Sequence, residues 1–541
     1  MNAKRAPSRP IGAPPWAPRW ALLLLVAAMV LGACNRGPGS SGGGDGDPVQ
    51  GGMLVRALAV DPKNLDPILA TDVAPQIVVL NLFTRLLKYD AEEKSFVGDL
   101  ATDATFNADA TAWSFPIRTG VRFTNGREIT PADVKYSFER IVDPKNASPA
   151  AGALADIVGV DDFKAGKTAD VAGIAVSGDT VTFTFRVPVP AFNQTAAAPT
   201  TSIVPREEVE RLGPQFGRMP VGSGPFRFKS WTPDDRVIVE ANTGYWAGRP
   251  YLDEVVYRIV GDASRKADFQ SGALDMMTLN EDNYAEFKAD ASLRDRVMEV
   301  PELFTRAIFF NTTAAPYTDV RVRRAINHAI DKEAIIRNSL ANKAFPAAGP
   351  LQSSSAAFDP ELEGYDHDPD EARRLLTEAG LGNGFEMEVY ASAQGATAME
   401  TLSSDLQKVG VTLKIVQVES PQSIARGGNF KAVYYSTGGD IDPISFMYAR
   451  LHSRNIGPGN VSRYRNPEVD RLLDEGAAAK DPQERARLAR EAEKLVVADA
   501  PWFFFNYNKA AMALQPRVHG VQPVPTDVDF QDLTKVWVDP S

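Results

Sequence analysis

Cysteine is almost missing from this chain. Cys34 is the only one in 541 residues, so no intramolecular disulfide can form and stability rests on packing alone. Histidine is nearly as scarce. His328, His367, His452 and His519 are scattered, and none pairs with another at metal-ligand spacing. No HExxH, CxxC or GxSxG motif is present. Gly222 and Gly224 complete neither GxxxxGK[ST] nor GxGxxG, so they read as backbone turns needing positive φ rather than a phosphate cradle. These gaps argue against a metal site, a cofactor, a thiol or serine hydrolase and an ATPase. Hydrolysis by carboxylates alone stays open.

Long apolar runs are also missing. The longest near the N-terminus, residues 21–31, is too short to span a membrane, which takes about 20 residues. Lys4, Arg5, Arg9 and Arg19 precede it without an acid, and Leu31-Gly32-Ala33-Cys34 ends it. That is the pattern of a lipoprotein signal sequence over residues 1–33. Cys34 would carry the lipid, and two or three acyl chains give stable anchoring. Residues 34–51 are rich in Gly, Ser and Asp and read as a flexible tether. Removing residues 1–33 takes four basic groups away, so the net charge moves from −11 to −15. Such a body is not drawn to nucleic acid or anionic lipid. With 44% hydrophobic and 23% charged residues it is globular in composition, and long enough for about three or four domain-sized units.

The densest local signal lies in residues 113–143. Trp113, Phe115 and Ile117 alternate as in a half-buried strand, Val121 and Phe123 resume the alternation, and Asn125-Gly126 marks a tight turn. A helix follows, capped by Thr130, with Pro131 in its first turn and Asp133 at the capping-box position. Val134, Phe138 and Ile141 give it one apolar face.

The same residues resemble the hallmark block of the family 5 solute-binding proteins of ATP-binding-cassette importers. That block reads W-x-F-x-[IL]-R-x-G-V-x-F-x-x-G-x-x-x-T-x-x-D-V-x-x-S, and residues 113–137 match every fixed place. Leu65-Asp66-Pro67, Pro188-x-Pro190-x-Phe192, the words at 220–226 and D-x-R-V-R-R-A-I-x-x-A-I-D-K from Asp319 are similar to the family too. The resemblance implies a two-lobed α/β fold of the periplasmic-binding-protein kind, large type II with an extra domain. It implies lobe I at 52–95, 203–304 and 512–541, the extra domain at 96–202, and lobe II at 305–511. The lobes would close by hinge bending near 305 and 511. It further implies an extracytoplasmic, monomeric binding protein, not an enzyme, that hands a peptide or other small solute to a permease and its ATPase subunits. A sugar or metal chelate as ligand, or an enzyme or sensor on the same fold, are the other readings.

One stretch carries binding chemistry, residues 434–446, YYSTGGDIDPISF. In peptide-binding members a W-x-x-D-x-x-D-P loop carries the aspartate that holds the peptide amine, and Asp442-Pro443 matches its end. Gly439 stands where that aspartate is expected, and Asp440 is one place away. The ligand-binding candidates are therefore Tyr435, Ser436, Thr437, Gly438, Gly439 and Asp440. Asp440 has two readings, a cap of the turn or the ligand acid.

Overall fold

The structure, a computed structural model, describes residues 47–540 except Ala108, Pro190 and Pro458. The signal sequence, Cys34 and most of the tether lie outside the described residues. Strand β1 (Met53–Leu58) opens the body. Helix α1 (Pro131–Val142) has the reciprocal Thr130/Asp133 capping box, and Asp133 also binds Arg127. Strands β2 (Met276–Thr278), β3 (Val297–Phe310), β4 (Phe385–Ala391) and β5 (Ala432–Gly438) follow. Helices α2 (Pro443–Leu451) and α3 (Pro482–Asp499) precede the last long strand, β6 (Trp502–Leu514).

These strands share one eleven-stranded sheet. β1 lies parallel beside β2, β2 pairs antiparallel with β6, β6 with β3, and β3 with β5. β3 and β6 therefore run through the sheet from one core to another. Their early and late halves pair Val297 with Ala513 and Phe309 with Trp502. The first end packs on a core around Val78, Phe83 and Tyr257, the other on cores around Phe309, Trp502 and Phe503. Pairing lapses between Pro301 and Thr305, which face Lys509 and Tyr507. Such a bulge bends the strand and redirects its side chains.

The block at 113–143 contributes to a separate core that runs from Ile68 to Ile203. Trp113, Phe115, Phe138, Phe183 and Phe192 are buried together, and the Trp113 indole N–H donates to the Val189 carbonyl at 2.9 Å. Residues 121–123 are not a strand as the alternation suggests. They form a loop with one isolated bridge, Arg122 to Glu128, and Val121 and Phe123 are buried as its anchors. Gly222 and Gly224 do not have positive φ. Glycine is needed there for space, because a Cβ on Gly222 would lie 2.0 Å from the Leu82 carbonyl oxygen. The long apolar run Phe503-Phe504-Phe505 is the buried start of β6.

Candidate functional site

The candidate residues 435–440 sit at the C-terminal end of β5 and just beyond it. β4 pairs only with Ala432 and Val433, so residues 434–438 have β3 as their strand neighbour and an open edge opposite. Gly438 and Gly439 let this end press against β3. A Cβ on Gly438 would lie 1.8 Å from the Leu303 oxygen, and the Gly439 N–H donates to that oxygen at 2.6 Å. Tyr435 turns inward and stacks on Phe309 at 4.3 Å. Ser436 turns the other way, and its Oγ accepts from Asn508 Nδ2 at 3.5 Å.

Arg450 of α2 organises the rest. Its Nε donates to Thr437 Oγ1 at 2.7 Å and its Nη2 to the Gly438 carbonyl at 3.1 Å. Its Nη1 lies 2.6 Å from Asp440 Oδ2, an ion pair whose angle misses hydrogen-bond geometry. Asp440 is thus already opposite a cation of the chain itself. The turn is capped by Asp442, not Asp440. Asp442 accepts from Ser445 N at 2.9 Å and grips Arg485 of α3 with both carboxylate oxygens. Gln194 reaches the same turn, where its Nε2 donates to the Gly439 carbonyl at 3.0 Å.

Two smaller cavities lie along the crossing strands and the end of β1, and share part of their lining. One, about 190 Å³, sits in the pairing lapse of β3 and β6. Its walls include Thr278 of β2, Leu340 and Lys343, and Glu302, Asn506 and Asn508 from the two long strands. The other, about 350 Å³, extends past Ala59, Asp61 and Asp72 at the C-terminal end of β1 and shares Thr278 and Asp529 with the first. A crevice outside the carboxyl ends of strands is the usual ligand place in open α/β sheets. A third, about 600 Å³, is lined by Tyr89, Gln194, Tyr251 and Phe530 and reaches Gly439 and Ile441. The first cavity takes walls from both long strands, β3 and β6.

Burial and nearby Asp527 push the Glu302 carboxyl up to about 7, while Lys343 and Arg306 oppose the shift. Burial and then Asp529 push Asp527 up to about 6. The sequence reading missed both acids, along with Asn506 and Asn508. The two asparagines break an apolar strand, WFFFNYNKAAMAL, and were the available signal. Glu302 and Asp527 carry no local signal, because 225 positions separate them. Among the described residues, no three His, Cys, Asp or Glu side chains are grouped to hold a metal ion.

The family model for bacterial extracellular solute-binding proteins, family 5 Middle, matches residues 95–458. This chain belongs to that family. Heme-binding protein A of Haemophilus influenzae is 29% identical, with 94% of this chain and 97% of the relative covered. The glutathione-binding protein GsiB of Escherichia coli is 28% identical over 88% of this chain and 94% of its own length. The solved structure of HbpA2 from Haemophilus parasuis superposes with a TM-score of 0.78 at 25% identity, covering 90% of this chain and all of that one. The family 5 chain is accordingly a solute-binding component of an ABC importer, with a two-lobed α/β fold.

Proposed function

We propose that this protein is a lipid-anchored receptor that captures a peptide or peptide-like solute between two closing lobes and delivers it to a membrane permease. The carrying observation is the unpaired edge of residues 434–438, which runs into a turn whose Gly439 and Ile441 line the cavity of about 600 Å³, with the two smaller cavities near Thr278 and Asp529. An extended ligand can pair its backbone with such an edge, while the cavities receive its side groups or ends. In this reading lobe I comprises 52–95, 203–304 and 512–541, lobe II 305–511, and the extra domain 96–202. β3 and β6 are the hinge. Glutathione, named for one relative, is a modified tripeptide and fits the same class; heme, named for another, leaves room for a non-peptide solute.

Residues 435–439 serve this site through backbone and shape. Asp440 holds Arg450, which in turn fixes Thr437 and Gly438, so the acid positions the edge. Using it for a ligand amine would require parting it from Arg450, and breaking a desolvated pair is expensive.

The test is thermal unfolding with free-amine di- to pentapeptides, glutathione and heme. A ligand at a hundred times its Kd adds about 2.7 kcal/mol to the folded state, so the transition should rise clearly with a peptide. No shift with any peptide at millimolar concentration would turn the reading to a non-peptide solute such as a sugar or a metal chelate. The anchor has its own test. Cys34→Ala, with no other thiol to take lipid, should move the protein out of the membrane fraction or leave it unprocessed; unchanged fractionation would refute lipidation.

A further inference from the structure

The small cavity in the pairing lapse has walls that ask for hydrogen-bond donors. Asn506 is 1% exposed. Its Nδ2 donates to Asn508 Oδ1 at 3.4 Å, but its Oδ1 has no partner. A buried amide oxygen left unpaired is costly and calls for a group to fill it. Glu302 and Asp527 line the same cavity. Asp527 accepts from the Asp529 N–H at 2.9 Å, and Asn508 hydrogen-bonds Glu302. Two of the wall cations have partners besides the cavity acids. Lys343 Nζ donates to the Leu279 carbonyl at 2.8 Å, and Lys509 Nζ donates to the Asn342 carbonyl and pairs with Glu299. Asp529 is held by Arg56 at 2.9 Å. Arg306, on β3 itself, and Lys343 face Glu302 through its field.

We infer that this cavity is the receptor for the ligand's ammonium group, held by Glu302, Asp527 and the Asn506 carboxamide oxygen. The inference rests on the reading that the ligand lies in the inter-lobe cleft, and it moves the cationic subsite from the glycine turn to the crossing strands. Three acceptors around a compact volume suit a primary ammonium, which has three donors. The site also couples binding to closure. Glu302 comes from the bulge of β3, Asp527 from the C-terminal segment and Asn506 from β6, so a bound cation links both crossing strands to the first lobe. Charge supports the same assignment, because two acids with raised pKa share a poorly solvated space and an added cation relieves them. Binding then requires the carboxylates, so it releases protons and strengthens as pH rises from about 5 to 7.5.

The experiment uses the mature full-length protein and two tripeptide libraries, one with free amino termini and one N-acetylated. Calorimetry and mass spectrometry of retained peptides are the readouts. Wild type should bind the free library ten- to a hundredfold tighter than the acetylated one, the size of one charge-assisted bond. Glu302→Gln should erase most of that preference and flatten its pH dependence. Asp527→Asn should do the same, which covers the case in which one variant folds poorly. Equal binding of both libraries by wild type overturns the ammonium assignment and leaves the cleft reading standing. A preference for free amines that survives in both variants overturns it as well. Binding of neither library overturns the peptide reading and this inference together.

Discussion

Two pairs of carboxylates lie on either side of one strand end, in opposite surroundings. Asp440 and Asp442 follow β5, and each meets an arginine, Arg450 and Arg485. Glu302 and Asp527 sit in the lapse between β3 and β6, where an asparagine and a backbone N–H are their hydrogen-bond partners. An acid already matched by the chain's own cation holds the fold together. An acid whose charge is opposed by burial leaves something for a ligand to supply. The conspicuous acids beside glycines thus each face an arginine of the chain, and the inconspicuous ones line the cavity.

The largest effect should come from Asp442. Its carboxylate caps α2 and joins it to α3 through Arg485, which is 9% exposed and also donates to the Gly476 carbonyl. Asp442→Asn keeps a capping oxygen but leaves the Arg485 charge buried without its partner. Loss of one member of a buried pair costs about 3–5 kcal/mol. Denaturant unfolding should show an earlier transition of the second lobe. A variant as stable as wild type would dissolve the contrast between the two acid pairs.

Next in size is a pH effect from the cavity acids. Both have folded-state pKa values above their ordinary ones, to about 7 for Glu302 and about 6 for Asp527. The folded state therefore holds more protons than the unfolded state between about pH 4 and 7, so these groups make stability fall as pH rises through that window. Above about pH 7 the full penalty is present. Glu302→Gln cannot ionise and should raise the thermal transition of the empty protein at pH 8 more than at pH 5. An equal change at both values would mean Glu302 is ordinarily ionised in the fold.

Much of the fold could be read because its signals are local. In the 113–143 block strand alternation, capping box and apolar helix face are consecutive in sequence, although the core they enter also draws on residues from Ile68 to Ile203. The same holds for Asp481 capping α3. The alternation of Val121 and Phe123 misled because burial of two anchors in a loop has the same period as a strand. The site was legible only up to its glycines. Glycines in such a stretch suggest a close backbone approach to a ligand, and what Gly438 and Gly439 approach here is Leu303 of the chain itself. Which acid is neutralised depends on Arg450 and Arg485, ten and forty-three places further on, and on how α2 and α3 pack. Nothing in the order of residues near Asp440 carries that.

Asp440 gives the smallest and sharpest test. As the ligand acid, its change to Asn would weaken a free-amine peptide by about ten- to a hundredfold, at about 1.4 kcal/mol per decade. As the partner of Arg450, it acts at one remove. The two side chains are 20% and 18% exposed, so the pair is worth more than a surface pair, about 0–1 kcal/mol, and less than a fully buried one. Arg450 also keeps its bonds to Thr437 and the Gly438 carbonyl when the charge on Asp440 is removed. Asp440→Asn should therefore lower stability by about 1 kcal/mol and leave the preference for free over acetylated amino termini unchanged, while overall affinity falls less than about threefold. Calorimetry with both forms of one peptide reads preference and affinity separately. If the preference collapses in Asp440→Asn and persists in Glu302→Gln, the ligand amine sits at the glycine turn after all, and Arg450 must swing aside to admit it.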